Sequence, residues 1–486
     1  MSESDREQQF RKAEQLVEVE SARLRKELRL GDLVLAQLLY ITGLQWIGTA
    51  GKMGSAHIMY WIPAVLLFYI PSGIVVVHLN REMPLEGGLY QWAKLRFGDL
   101  VGFLTALNMW ATIVLILASE ASQITDNLAY AAGPSGAWIA ESKLVVMAVG
   151  TLLAGGLMLV SVRGLALAKW LHNAGGFVLL AALAGMVLLA LPRWLHGGAV
   201  AAPVAFTLPA VSLLNLNLLG KMSFAAFCGF DGCAIFSGEV RDPNVSRTMR
   251  RSVWLAAPLI AAFYILGTAS ALTFTRPADL DLISPTTQVL SRGAQAAALA
   301  PSLAALIAPF FAVLLIGNLM GGSSIFFNAA IRLPMVAGWD HLLPAWLSRL
   351  HPRFRTPVGS IACISIAVCA LTVLGNLGVG AQESFQLVNN AGLICWGLTY
   401  LVMFAIPLLA PGEKPSSGVR LAALSGFLMT LLYVVLSAFP VIDVKNAASF
   451  TMKVAGVVAG INAVGAWYFR RVSKRRAADL SLETTS

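Results

Sequence analysis

Apolar stretches long enough to cross a bilayer recur along nearly the whole chain, separated by short joints rich in Gly, Pro and charge. They run at about 33–50, 59–79, 100–124, 144–162 and 170–191, then 214–236, 253–274, 303–330, 358–374 and 387–409, and finally 421–439 and 454–469. Each comes close to the roughly 20 mostly apolar residues a helix needs to span hydrocarbon. The pattern predicts an all-α polytopic membrane protein of about twelve transmembrane helices, built as one membrane domain.

Composition agrees. Of 486 residues, 57% are hydrophobic and only 12% charged, against about a quarter charged in an average soluble domain. The excess of 35 Lys and Arg over 25 Asp and Glu does not point to nucleic acid, because the basic residues fall in the joints. With the N-terminus inside and twelve spans, 27 of the 35 lie on the inner side, the asymmetry expected of cytoplasmic loops. Both termini are therefore expected in the cytoplasm: a charged arm over 1–30 and a basic tail over 470–486. The arm lacks the apolar core of a secretory signal, which suits a multi-pass protein of a bacterial inner membrane. The five cysteines lie in or near apolar windows without metal-ligand spacing and read as small hydrophobes. No paired metal ligands, nucleophile with base, or phosphate loop appears, so the sequence asks for no cofactor or metal and does not read as an enzyme.

Two spans carry chemistry. Span one contains Thr42-Gly43-Leu44-Gln45-Trp46 and Thr49, with polar groups and glycines where a lipid-facing helix would keep Leu. Five spans later comes Phe227-Cys228-Gly229-Phe230-Asp231-Gly232. Glycine-interrupted spans at matching positions of two halves mark helices broken at mid-membrane, where main-chain groups are freed to hold a ligand. Glycines alone also serve close helix packing; Asp231 between two of them favours a site, since a mid-membrane carboxylate costs about 3 kcal/mol on insertion scales. Asp231 has three readings: it holds a substrate ammonium, carries a coupled proton, or does both in turn. Glu120, in the outer half of span three, is the other carboxylate within a predicted core; it reads as reaching the interface, with a functional role as the alternative, and Lys221 near the outer start of span six reads as a snorkelling residue. Asn318, Ser323, Ser324 and Asn328 in span eight read as helix-bridging groups, with lining the path or a sodium site with span one as the alternative. The outer connection from 276 to 302 has room for a short interfacial helix, and the sequon at Asn244 falls on the predicted inner face.

Three motifs carry a family resemblance. Pro84-Leu85-Glu86-Gly87-Gly88-Leu89-Tyr90-Gln91-Trp92, followed by Phe97-Gly98, resembles the signature between spans two and three of the amino acid–polyamine–organocation permeases. Gly229-Phe230-Asp231 with Glu239-Val240-Arg241-Asp242-Pro243 resembles their span-six break and inner loop. Arg332 to Gly338, Leu343-Pro344 and His351-Pro352-Arg353 with Pro357 resemble the loop after span eight.

The resemblance implies a leucine-transporter-type fold of five-plus-five inverted repeats, here 31–191 and 214–410, with two added helices over 411–469. It implies a secondary active transporter of amino acids or related amines, coupled to a proton or to an exchanged amino acid. The substrate carboxylate would meet backbone amides at Thr42, Gly43, Leu44 and Gln45. Its amine would meet carbonyls around Ile41, Phe227, Cys228, Gly229 and Phe230, with Asp231 tied to coupling. Relatives often place a lysine inside span five, where this chain has only Lys169 at the edge, with His172 and Asn173 nearby; exchange gains weight over proton symport. The span-one spacing is nearer the glutamate/aminobutyrate antiporter branch. Two further readings stay open: a polyamine or organic-amine transporter, and a sensor or assembly subunit that keeps the fold without turnover.

Overall fold

The structure, a computed structural model, describes residues 26–83, 87–297, 301–339, 342–376, 381–409, 415–440 and 446–483. Most of the charged arm, and Pro84 to Glu86 of the first motif, lie outside these residues. Among them, ten helices are long and apolar enough to cross a membrane, and a bent pair makes an eleventh. The bent pair is span one, Leu30–Ile41 and Gln45–Gly51, turned by 49° at the break. The twelfth expected span is the other broken one. It is an α-helix over Leu213–Gly220, a π-helical turn over Lys221–Ala225 and a 3-10 segment over Gly232–Glu239, no piece of which spans alone.

The intact spans outrun the windows that hydropathy drew. Span two ends at Glu82; spans three to five are Asp99–Ala132, Lys143–Arg163 and Leu165–His196. Spans seven and eight are Val245–Phe274 and Pro301–Trp339, nine and ten Val358–Gly375 and Ala381–Leu409, eleven and twelve Ser417–Leu436 and Ala447–Glu483. Hydropathy marks the part in lipid, whereas hydrogen bonding carries each helix on into polar surroundings. Two helices of nine and twelve residues also lie between spans. Leu89–Phe97 follows the glycine pair of the first motif, and Pro285–Ala296 fills the connection after span seven. The second is the short helix for which that connection had room, and it packs against the bundle: Thr286, Thr287 and Gln288 are buried, and the Thr287 hydroxyl donates to Asn127 of span three at 2.5 Å.

Burial sorts the spans. Spans three and ten are the most enclosed, with 72% and 67% of their apolar windows buried, whereas span twelve has 11%. The broken spans and their neighbours therefore form the interior, and span twelve presents most of its surface outward.

One face of the bundle carries the start of the described chain, hereafter the N-terminal face. Glu27 and Leu28 run parallel to the end of span six: both their amides donate to the Glu239 carbonyl, at 2.9 and 3.0 Å, and Arg241 N–H returns to the Leu28 carbonyl at 2.9 Å. The Lys169 ammonium also holds the Glu27 carbonyl, at 3.2 Å. Beside this segment the Glu239 carboxylate is paired with the Arg332 guanidinium of span eight, their side chains 5% and 9% exposed. Asp242 turns the chain into span seven by accepting from the Thr248 hydroxyl and the Asn244 amide, which hold its carboxyl below the usual range. Asn244 itself caps span seven by accepting from Arg247 N–H at 2.9 Å, a structural use for the sequon's asparagine.

Candidate functional site

The span-one break is an extended turn at Thr42, and the span-six break follows from glycine. In span one the helical ladder stops at Thr42, whose N–H still reaches Leu38, and resumes at Gln45. In span six it stops at Cys228, whose N–H reaches Phe224; Gly229 then takes φ +133°, a region closed to other residues. A Cβ on Gly229 would meet Ile41 at 2.8 Å, and one on Gly232 would meet the Tyr40 ring at 2.2 Å. The two breaks therefore pack directly on one another.

Two tyrosines satisfy the freed main chain. The Tyr264 hydroxyl of span seven accepts from Gly43 N–H at 3.0 Å and shares its hydrogen between the carbonyls of Ile41, at 3.0 Å, and Ala226, at 2.8 Å. One oxygen thus bridges both breaks. The Tyr400 hydroxyl of span ten accepts from Gly229 N–H at 2.7 Å and donates to Asp231 at 2.6 Å. Trp396, one turn earlier, donates its indole N–H to the other Asp231 oxygen at 3.4 Å. Behind the breaks an aromatic stack fixes these positions. Tyr69 lies parallel to Phe227 and Phe230, and Trp61 parallel to Tyr264.

On the other side of span one lies a cavity of about 60 Å³, room for about four waters at roughly 15 Å³ each. Residues 39–46 make one wall of it. Ile116, Glu120 and Gln123 of span three make a second, one face of a helix by their spacing. Asn318 and Phe326 of span eight, and Asn389 and Trp396 of span ten, close the remainder, with Ala225 and Cys228 from span six. The site is a cleft between helices with a freed main chain in its wall, the form of a small-molecule site rather than of a pore.

A family model described as amino acid permease matches residues 33–461. The chain belongs to that family. An uncharacterised transporter of Legionella pneumophila is 23% identical to this permease over 80% of its length and 82% of the relative's. The human large neutral amino acids transporter small subunit 2 is 23% identical over 75% of this chain and 65% of its own. A probable agmatine/putrescine antiporter of Lactococcus lactis is 24% identical over 44% of each. Among solved structures, MhsT in complex with L-phenylalanine superposes with a TM-score of 0.60 at 14% identity, covering 86% of this permease and all of MhsT; that likeness concerns the fold.

The permease brings together some of the residues singled out from sequence and separates others. Ile41, Thr42, Gly43, Leu44, Gln45 and Cys228 line the cavity. Phe227, Gly229, Phe230 and Asp231 lie behind it, in the layer where Tyr69 and Tyr400 hold them. The aromatic walls are Tyr40, Trp46, Phe326 and Trp396. In span eight, Asn318 lines the cavity while donating to the Gly175 carbonyl at 3.0 Å, and Ser324 bonds to His172 at 3.0 Å.

Lys221 is a correction. It does not snorkel: it is 1% exposed, with its ammonium on Asn390 at 2.9 Å and Ser437 at 3.2 Å, and the Tyr433 ring 6.0 Å away. Spans ten and eleven enclose the π-helical turn that carries it, which no local pattern in the sequence reveals. Tyr264 is the residue that sequence reasoning missed, because one tyrosine in an apolar span looks like a packing residue.

Replacing Gly229 by Ala tests the break directly. Strain at the positive φ and the clash with Ile41 each cost about 1–3 kcal/mol. The variant is expected to unfold at lower temperature in detergent, by differential scanning fluorimetry; an unchanged transition would mean the breaks are not packed as described.

Proposed function

We propose that this permease carries an amino acid or a related amine across a cell membrane by alternating access about the two broken spans, and that the cavity beside Thr42 to Gln45 is its substrate site. The observation that carries this reading is the exposed main chain of span one forming the cavity wall in a chain of this family. Of the amides there, Thr42 is bound to Leu38 and Gly43 to Tyr264, which leaves Leu44 and Gln45 for a substrate carboxylate. The carbonyls of Ile41 and Cys228, the two such residues on the cavity wall, are the acceptors for its ammonium. The names of the human and lactococcal relatives, an amino acid transporter and a diamine antiporter, support the same substrate range.

The N-terminal face is assigned to the cytoplasm, where the basic loops belong, and the membrane to a bacterial inner membrane. Asp231 is assigned to coupling rather than to direct contact, since Tyr400 and Trp396 surround its carboxylate. It would act through Tyr400, whose hydroxyl also holds the span-six break.

The deciding experiment is flux. Purified protein in liposomes is expected to take up a labelled amino acid or amine saturably, faster when the lumen is preloaded with unlabelled substrate. Saturable binding with no flux would favour a sensor; absence of both would remove the reading. In the same assay Asp231→Asn is expected to abolish or uncouple transport, because an amide sets an N–H against a donor, either the Tyr400 hydroxyl or the Trp396 indole. Full, equally coupled flux would take Asp231 out of the mechanism.

A further inference from the structure

The central cavity contains one charged side chain. Glu120 sits on its span-three wall, between Ile116 one turn before and Gln123 nearly one turn after, and no Lys or Arg is among the lining residues. The residue is 8% exposed, and its Oε2 is buried with no hydrogen-bond partner. Thr42, across the cavity on the span-one break, also has a buried hydroxyl without a partner.

An unpartnered carboxyl oxygen in the membrane interior is expensive, and such groups face a pathway or a partner. Other acids also leave a buried oxygen unfilled, Glu239 at Oε2 and Asp126 at Oδ2, but Glu239 is paired with Arg332 and neither lines this cavity, while Asp231 is bound by Tyr400 and Trp396. Glu120 is thus set apart by geometry: acidic, enclosed, unfilled at one oxygen and on the cavity wall. The wall opposite is the break whose amides and carbonyls suit the two ends of an α-amino acid head group. What remains for Glu120 is a second, positive group on the same ligand. Gln123 beside it adds an amide oxygen that serves a second N–H donor.

We propose that Glu120 selects the substrate class: organic cations bearing a second ammonium or guanidinium group, either amino acids with a basic side chain or diamines. This rests on the reading of the cavity as the substrate site. A neutral ligand would leave Oε2 unpaired, and a site built around a buried polar group discriminates strongly against ligands that fail to pair it. The aliphatic and aromatic walls, Ile116, Leu393 and Trp396 among them, then hold the methylene stem between the two charged ends.

The test is ligand binding to purified protein at fixed pH, by competition and by thermal stabilisation, with lysine, arginine, agmatine and putrescine against leucine and phenylalanine. The wild type is expected to bind at least one of the cations ten-fold or more tightly than either neutral amino acid. Glu120→Gln is expected to reduce that ratio at least ten-fold, and Glu120→Asp, which keeps the charge, to retain more of it than Gln does. A wild type that prefers neutral amino acids, or a Gln variant with the wild-type ratio, overturns the assignment while leaving the transporter reading intact. Failure to bind any of the six overturns the assignment, and the flux assay then decides the transporter reading by itself. Should the Gln variant not survive purification, the wild-type preference and the Asp variant still decide the matter.

Discussion

Tyr264→Phe is expected to reduce flux by at least ten-fold and to weaken substrate binding by a similar factor, for the loss of one oxygen atom. That hydroxyl accepts from Gly43 and serves the carbonyls of Ile41 and Ala226, so its removal leaves an amide and at least one carbonyl unsatisfied. Each buried group stranded in this way costs about 1–3 kcal/mol, and 1.4 kcal/mol is a factor of ten in an equilibrium. The chain relieves the cost by re-forming helix at span one, which withdraws the main chain from the cavity. Phe keeps the ring that stacks on Trp61, so packing is preserved and the effect reports the hydrogen bonds. Binding by isothermal titration and exchange in liposomes measure the two quantities. Wild-type values for both would show that the breaks hold without this bridge.

The same bridge shows which features sequence reveals. Span positions were legible because apolar windows of about twenty residues, repeated down a chain, fit a bilayer and little else. The first break was legible because Gly43 stands among Thr42, Gln45 and Thr49. Cys228 and the span-one stretch line the cavity. Asp231 also stood out, but a carboxylate between glycines says only that it needs partners. That Tyr400 and Trp396 supply them, behind the cavity rather than in it, depends on how span ten packs. Glu120 and Lys221 show the same limit: each is one ionisable residue in an apolar run, and hydropathy cannot tell an interior face from a snorkelling one. Long-range contacts decide it, placing Glu120 on the cavity and Lys221 among Asn390, Ser437 and Tyr433.

At the N-terminal face the expected effect is larger and of a different kind. Arg332→Met is expected to destabilise the packing of the end of span six on span eight by about 3–5 kcal/mol, the cost of stranding a buried charge when its partner is removed. Glu239 is that charge, and its main-chain carbonyl also receives the amides of Glu27 and Leu28. Arg332 meanwhile donates to the Asn328 carbonyl at 2.7 Å and lies over the Phe236 ring. Unpairing the two frees the end of span six from span eight and loosens the N-terminal segment bonded to it. Opening of this face exposes the cavity, and Cys228 on its wall is a native reporter. In a variant retaining only that cysteine, a membrane-impermeant maleimide applied to the N-terminal face is expected to label Arg332→Met at least ten-fold faster than its parent. Adding Glu239→Leu removes the stranded charge, and replacing both members of a buried pair by apolar residues is often neutral for stability. The double variant is therefore expected to regain most of the lost thermal stability. Labelling at the parental rate in Arg332→Met, with no loss of stability, would show that this pair does not hold the N-terminal face closed.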